Sequence, residues 1–90
     1  MSHVFKGKSK LIARIRRIRG QVEAIERGLE AECDCLEVMQ LVASVRGAMN
    51  GLMAELIEGH VDHHVVDATD AGARRQGAKE LVDILRTYVK

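Results

Sequence analysis

Ninety residues, 47% of them hydrophobic and 30% charged, suffice for one small folded domain and are too apolar for a disordered chain. Only 2% are aromatic and proline is absent, so the core must be aliphatic and no helix is broken by a proline ring. The net charge is only +1, no secretory signal or run of about 18 apolar residues is present, and Cys33 and Cys35 are too close to staple a domain. These features exclude an exported or membrane-spanning chain and read as a cytoplasmic protein with reduced thiols.

Residues 1–5 form a short arm. The first predicted helix runs from about Lys6 to Leu29, with Leu11, Ile15, Ile18, Val22, Ile25 and Leu29 at steps that alternate four and three. Residues 1–20 hold seven Lys or Arg and no acid, whereas residues 21–40 hold six acids against Arg27 alone. This asymmetry, hidden by the neutral average, points to a local polyanion site. Gly28 to Asp34, rich in acids and carrying Cys33, reads as the turn, and Asp34 or the residues before it cap the next helix.

The second predicted helix begins at Cys35 and frays within residues 64–67. Its seam is Val38, Val42, Val45, Met49, Leu52 and Leu56. Gly47 and Gly51, with Ala43 and Ala48 nearby, let another helix approach closely, at a cost of about 1 kcal/mol of propensity per glycine. Together with Met39, Met49 and Met53 they are assigned to a dimer core. Residues 67–72 read as a loop with Thr69 or Asp70 as cap, and a third helix follows from about Ala73 to Val89. Its stripe is Ala78, Leu81, Val82, Leu85 and Tyr88, and Gly77 weakens its start.

The expected fold is an all-α, three-helix chain, one domain over residues 1–90, with helices one and two as a long antiparallel hairpin because the turn between them is short. A helix of this length extends about 45 Å, against a radius of gyration of about 13 Å for a compact domain of this size. The seam of helix two therefore needs cover, and a second copy is the expected cover.

Two histidines four apart, His60 and His64, share one helical face, a spacing suited to one metal ion and equally found on the surface of a fraying helix end. Counting outward from a turn centred near residue 32 brings His3 level with them. Cys35 is the remaining soft donor, but it stands 25 residues from His60, roughly 38 Å of helical rise. One chain cannot bring both to one ion; two antiparallel copies of helix two can. Three imidazoles and a thiolate suit Ni(II), Co(II) or Zn(II), and nickel and cobalt would also use nitrogen donors from the N-terminus and the backbone near Ser2. A zinc-hydrolase reading fails because Val61, not a glutamate, follows the first histidine. His63 faces away, and Cys33 carries no assigned role.

Lys10, Arg14, Arg17 and Gln21 follow one another at steps of four, three and four, and Arg46 arrives at the same level from helix two. A solvated helix face is the ordinary explanation of such a stripe. The absence of interleaved acids over about four turns favours phosphate binding instead. No helix-turn-helix pattern supports readout by a recognition helix.

On Arg14-Ile15-Arg16-Arg17-Ile18-Arg19-Gly20-Gln21 and Val45-Arg46-Gly47-Ala48-Met49-Asn50-Gly51-Leu52-Met53, the chain resembles the copper-sensitive operon repressor family, in its nickel- and cobalt-responsive branch. The resemblance spans nearly the whole chain. It implies an antiparallel helix-two dimer, tetramers built as dimers of dimers, and a repressor that releases operator DNA when it senses its inducer. It makes His3, Cys35, His60 and His64 the diagnostic positions. Copper sensors of the family carry a second cysteine where this chain has His64, and formaldehyde sensors carry a proline where it has Ser2.

The expected protein is a repressor that holds operator DNA without metal and releases it on binding Ni(II) or Co(II), with Zn(II) able to occupy the site in vitro; that release lets a metal-efflux gene be transcribed is what the resemblance implies. Two rivals stay open. One is a formaldehyde-responsive repressor using Cys35 and the N-terminal amine. The other is a helical scaffold with a fortuitous histidine cluster. An enzyme is disfavoured because no general base accompanies the ligands.

Overall fold

The computed structural model describes residues 7–89, and every described element is helical. Helix α1 spans Lys8–Glu30, α2 spans Cys35–Val61, a π-helical turn follows at Asp62–Val66, and α3 spans Ala71–Tyr88. The chain divides into two compact units, Gly7–Met53 and residues 54–89, and α2 contributes to both.

In the first unit, α1 starts after Gly7, whose left-handed backbone (φ 68°) costs glycine nothing. Its C-terminus closes by two paired bonds, Glu32 N–H to the Leu29 carbonyl (3.1 Å) and Cys33 N–H to the Gly28 carbonyl (3.0 Å). That is the Schellman pattern, with Glu32 at φ 54° in the left-handed position that glycine usually fills. A Cβ on Gly28 would lie 3.0 Å from the Cys33 sulfur, so the glycine makes room for that thiol. Burial and the neighbouring Glu37 carboxylate push the Cys33 thiol above its ordinary range. Asp34 accepts the first bond of α2 through its backbone, from Val38 N–H at 3.1 Å.

The hairpin pairs as the counting from the turn predicts. Gly28 packs beside Val38 and Leu41, Gln21 donates from Nε2 to Ser44 Oγ at 3.3 Å, and the Arg14 guanidinium lies over Gly51. Each step of seven on α1 is met by a similar step on α2, which is the repeat of a two-helix seam. The face turned inward differs from the expected one. Ile18 and Leu52 are buried, and Leu11, Ile25, Val38, Leu41, Val45 and Ala48 are half-buried. Three of the six predicted positions on α1, Ile15, Val22 and Leu29, and two of the six on α2, Val42 and Met49, stay exposed. Gly51, expected in a dimer core, carries the Arg14 side chain of its own hairpin.

In the second unit, α3 packs against the π-helical turn. Asp70 caps α3, its side chain accepting from Ala73 N–H at 2.9 Å. Asp70→Ala should therefore lower stability by about 1 kcal/mol, read as a fall in thermal midpoint of roughly 4–8 °C. Gly77, expected to weaken the helix, is instead its buried contact point: a Cβ there would meet the His64 carbonyl oxygen and come within 2.8 Å of the His64 Cβ. No described helix is long and apolar enough to cross a membrane.

Candidate functional site

His60 belongs to the last turn of α2 and His64 to the π-helical turn after it. Their rings lie beside each other, with centroids 4.7 Å apart and planes tilted by 35°. The α-helix ends at Val61, yet the wider π turn keeps the pair together, and π turns commonly occur where a functional side chain is re-aimed. The Nε2 of His60 lies 2.8 Å from the Gly77 carbonyl. A carbonyl oxygen only accepts, so Nε2 is the donor, which in the neutral ring leaves Nδ1 with its lone pair. Glu80 Oε1 stands 3.8 Å from the same nitrogen. A ligating histidine is usually oriented by a carbonyl or carboxylate on its second nitrogen, and here α3 supplies both.

Two adjacent imidazoles, one with its donor committed to a carbonyl, fit a shared borderline metal ion. His60 is one-quarter exposed, open enough for an ion to reach. Cys35, the first residue of α2, is an exposed free thiol at the other end of that helix. Among the described residues of the single chain, no group of three or more His, Cys, Asp or Glu side chains is placed to hold a metal. The expected ligand His3 and the expected donors near Ser2 lie outside the described residues. Thus the chain brings together His60 and His64, and Cys35 stands roughly 38 Å of helical rise from His60 at the far end of α2.

The candidate phosphate-binding stripe divides in two. Lys10, Arg17 and Arg46 are exposed, together with Arg16 and Arg19. Arg14 and Gln21 are half-buried at the α1–α2 seam, one over Gly51 and the other on Ser44. The Gln21 carbonyl oxygen is buried and has no hydrogen-bond partner, an unmet acceptor on this face. Reading the sequence assigned no role here to Arg74, Gly77 or Glu80, yet Gly77 and Glu80 stand at His60 Nε2, and Arg74 donates to the Val65 and Ala68 carbonyls. No local pattern marks them, because their partners are 6 to 20 residues away across a turn.

The sequence pattern of the metal-sensitive transcriptional repressor family matches residues 7–87. The transcriptional repressor RcnR of Salmonella paratyphi B is 40% identical over 90 residues, the full length of both chains. A solved histidine variant of the formaldehyde-responsive regulator FrmR, from Salmonella enterica serovar Typhimurium, is 44% identical. That structure superposes with a TM-score of 0.87 over 97% of this chain and 99% of the other. The nickel-responsive transcriptional regulator InrS is 26% identical with a TM-score of 0.78, over 98% of this chain and 99% of that one.

Proposed function

Because the chain belongs to the family of metal-sensitive transcriptional repressors, we propose that it binds operator DNA in its metal-free form and releases it on binding Ni(II) or Co(II), allowing a metal-efflux gene to be transcribed. The observation that carries this reading is the His60–His64 pair, with ring centroids 4.7 Å apart and His60 Nε2 2.8 Å from the Gly77 carbonyl. His60 then binds through Nδ1 and His64 beside it. The partner subunit's Cys35 adds a thiolate across an antiparallel α2 pair, and His3 with the N-terminus near Ser2 completes the donor set. A divalent ion here supplies a fixed point that ties the arm before α1 to the end of α2.

DNA is held by Lys10, Arg17 and Arg46, with Arg14 and Gln21 fixing the hairpin face that presents them. Phosphate contacts of this kind give affinity without sequence readout. A tetramer, built as a dimer of such dimers, extends the basic face along the duplex. The ion shifts the equilibrium only by binding the DNA-free form more tightly, since differential affinity alone moves a population. The proposed protein acts in the cytoplasm, where both DNA and reduced thiols are found.

Metal titration followed by absorption is the direct test. A thiolate-to-nickel or thiolate-to-cobalt charge-transfer band is expected, and it should vanish in Cys35→Ala. A titration without that band removes the thiolate from the site. On the DNA side, Arg17→Ala should lower the slope of log affinity against log salt by about one phosphate contact, with helix content unchanged. An unaltered slope would move the DNA face elsewhere.

One observation favours a second reading. The FrmR variant shares 44% of its sequence with this chain, and Cys35 is exposed. An exposed thiol and an N-terminal amine would together capture formaldehyde as an S–CH2–N bridge, with loss of water. Mass spectrometry after formaldehyde treatment decides: a methylene bridge between chains supports this alternative, and an unmodified Cys35 excludes it. A scaffold without sensing predicts neither salt-dependent DNA binding nor a charge-transfer band.

A further inference from the structure

The π-helical turn that carries His64 ends in the open. Its last internal bond runs from Asp67 N–H to the Asp62 carbonyl at 2.9 Å, and the carbonyls beyond that bond need other donors. Arg74, in the first turn of α3, supplies them. Its Nε donates to the Val65 carbonyl at 3.0 Å and its Nη2 to the Ala68 carbonyl at 2.5 Å. The planar guanidinium makes both bonds at once, which an ammonium cannot do. One turn further along α3, Gly77 packs against the His64 backbone and its carbonyl accepts a hydrogen bond from His60 Nε2.

We propose that Arg74 is a positioning residue for the metal site, holding the π-helical turn so that His64 stays stacked beside His60. The inference rests on the metal reading above and extends it to a residue that is no ligand. Asp70 fixes where α3 begins, through the Ala73 bond and by accepting from Arg74 N–H at 3.0 Å. Arg74 then ties that start back onto Val65 and Ala68. With this clamp closed, the two imidazoles are placed before any ion arrives, and no ordering of the turn opposes binding. With it open, His64 samples positions in which only His60 can ligate.

The test uses the full chain with Arg74→Met and Arg74→Lys. In the metal-free protein, Arg74→Met should speed hydrogen exchange at the Asp67 amide by roughly tenfold or more and remove the His60–His64 ring-to-ring NOE, while amides of α1 keep their protection. Nickel affinity should fall by about 10–100-fold, the usual effect of losing an outer-shell partner. Arg74→Lys, which can satisfy one carbonyl, should fall between. The decisive comparison is with His64→Ala. If Arg74 works through His64, that substitution costs far less nickel affinity in the Arg74→Met background than in the wild-type one. Unchanged Asp67 exchange with the ring contact retained, or strictly additive affinity losses, would overturn the proposal. If the wild-type chain binds no nickel or cobalt, the metal reading fails, and the exchange rate and ring contact still decide what Arg74 does.

Discussion

Two variants that each bind metal poorly are expected to restore binding when they are unfolded together and refolded. One is Cys35→Ala. The other is His60→Ala combined with His64→Ala. In a homodimer of either, every bridging site lacks a donor class. In a mixed dimer, one site joins the intact Cys35 of one copy to the intact His60 and His64 of the other, and the second site is doubly broken. Random pairing makes about half the dimers mixed, so about a quarter of the wild-type sites should return, with the thiolate charge-transfer band. The expectation comes from α2 itself: it is continuous from Cys35 to Val61, and the rise from Cys35 to His60 is roughly 38 Å. Refolded mixtures with no more metal binding than the separate variants would place the whole site within one chain and remove the bridging mechanism.

Gly77→Ala should be the most damaging single methyl group in the chain. On an exposed helix the same change gains about 1 kcal/mol of propensity. At position 77 the new Cβ would stand against the His64 carbonyl and 2.8 Å from the His64 Cβ, and the nearest of these atoms is backbone, which cannot rotate away. Overpacking of this kind costs about 1–3 kcal/mol, so the net effect reverses sign. Helix α3 must shift off the π-helical turn, and the 2.8 Å bond that holds the His60 proton is lost with it. The expected result is a lower thermal midpoint together with weaker nickel binding. Gly20→Ala, where nothing lies within 4 Å of the added methyl, is the matched control and should leave metal binding intact. Equal thermal midpoints for the two variants would show that α3 does not need this close approach.

Much of this architecture is written in local chemistry. The turn after α1 is readable because acids, Gly28 and Asp34 interrupt two long apolar periodicities, and pairing outward from it places Gln21 opposite Ser44. Asp70 is a readable cap because its short side chain reaches the N–H three residues on. The side of each helix that turns inward is harder to read. On α1, Leu11, Ile18 and Ile25 form one heptad series and Ile15, Val22 and Leu29 another, equal in hydrophobicity. Periodicity alone merges them into one stripe, whereas the hairpin inserts the first and leaves the second outside. The histidine pair was legible from its spacing, but the π-helical turn beneath it was not, since an inserted residue in a helix has no composition of its own. The support from Arg74, Gly77 and Glu80 depends on α3 folding back, a tertiary contact that no window of sequence contains.

The uncovered heptad series has a consequence for how the protein lives in a cell. Among the described residues, Ile18 and Leu52 are the only buried hydrophobic side chains, while Ile15, Val22, Leu29, Leu36, Met39, Val42 and Met49 stand about 40–60% exposed. So thin an interior gives a lone chain little margin over its own conformational entropy. In the proposed dimer its folding free energy then depends on how many copies are present, because burying that stripe against another copy would stabilise it by mass action. A newly synthesised chain that meets no partner is easily opened and is an easy substrate for proteolysis, whereas an assembled one persists. Dilution below the dissociation constant of the proposed assembly should therefore erase the protein rather than leave idle monomers.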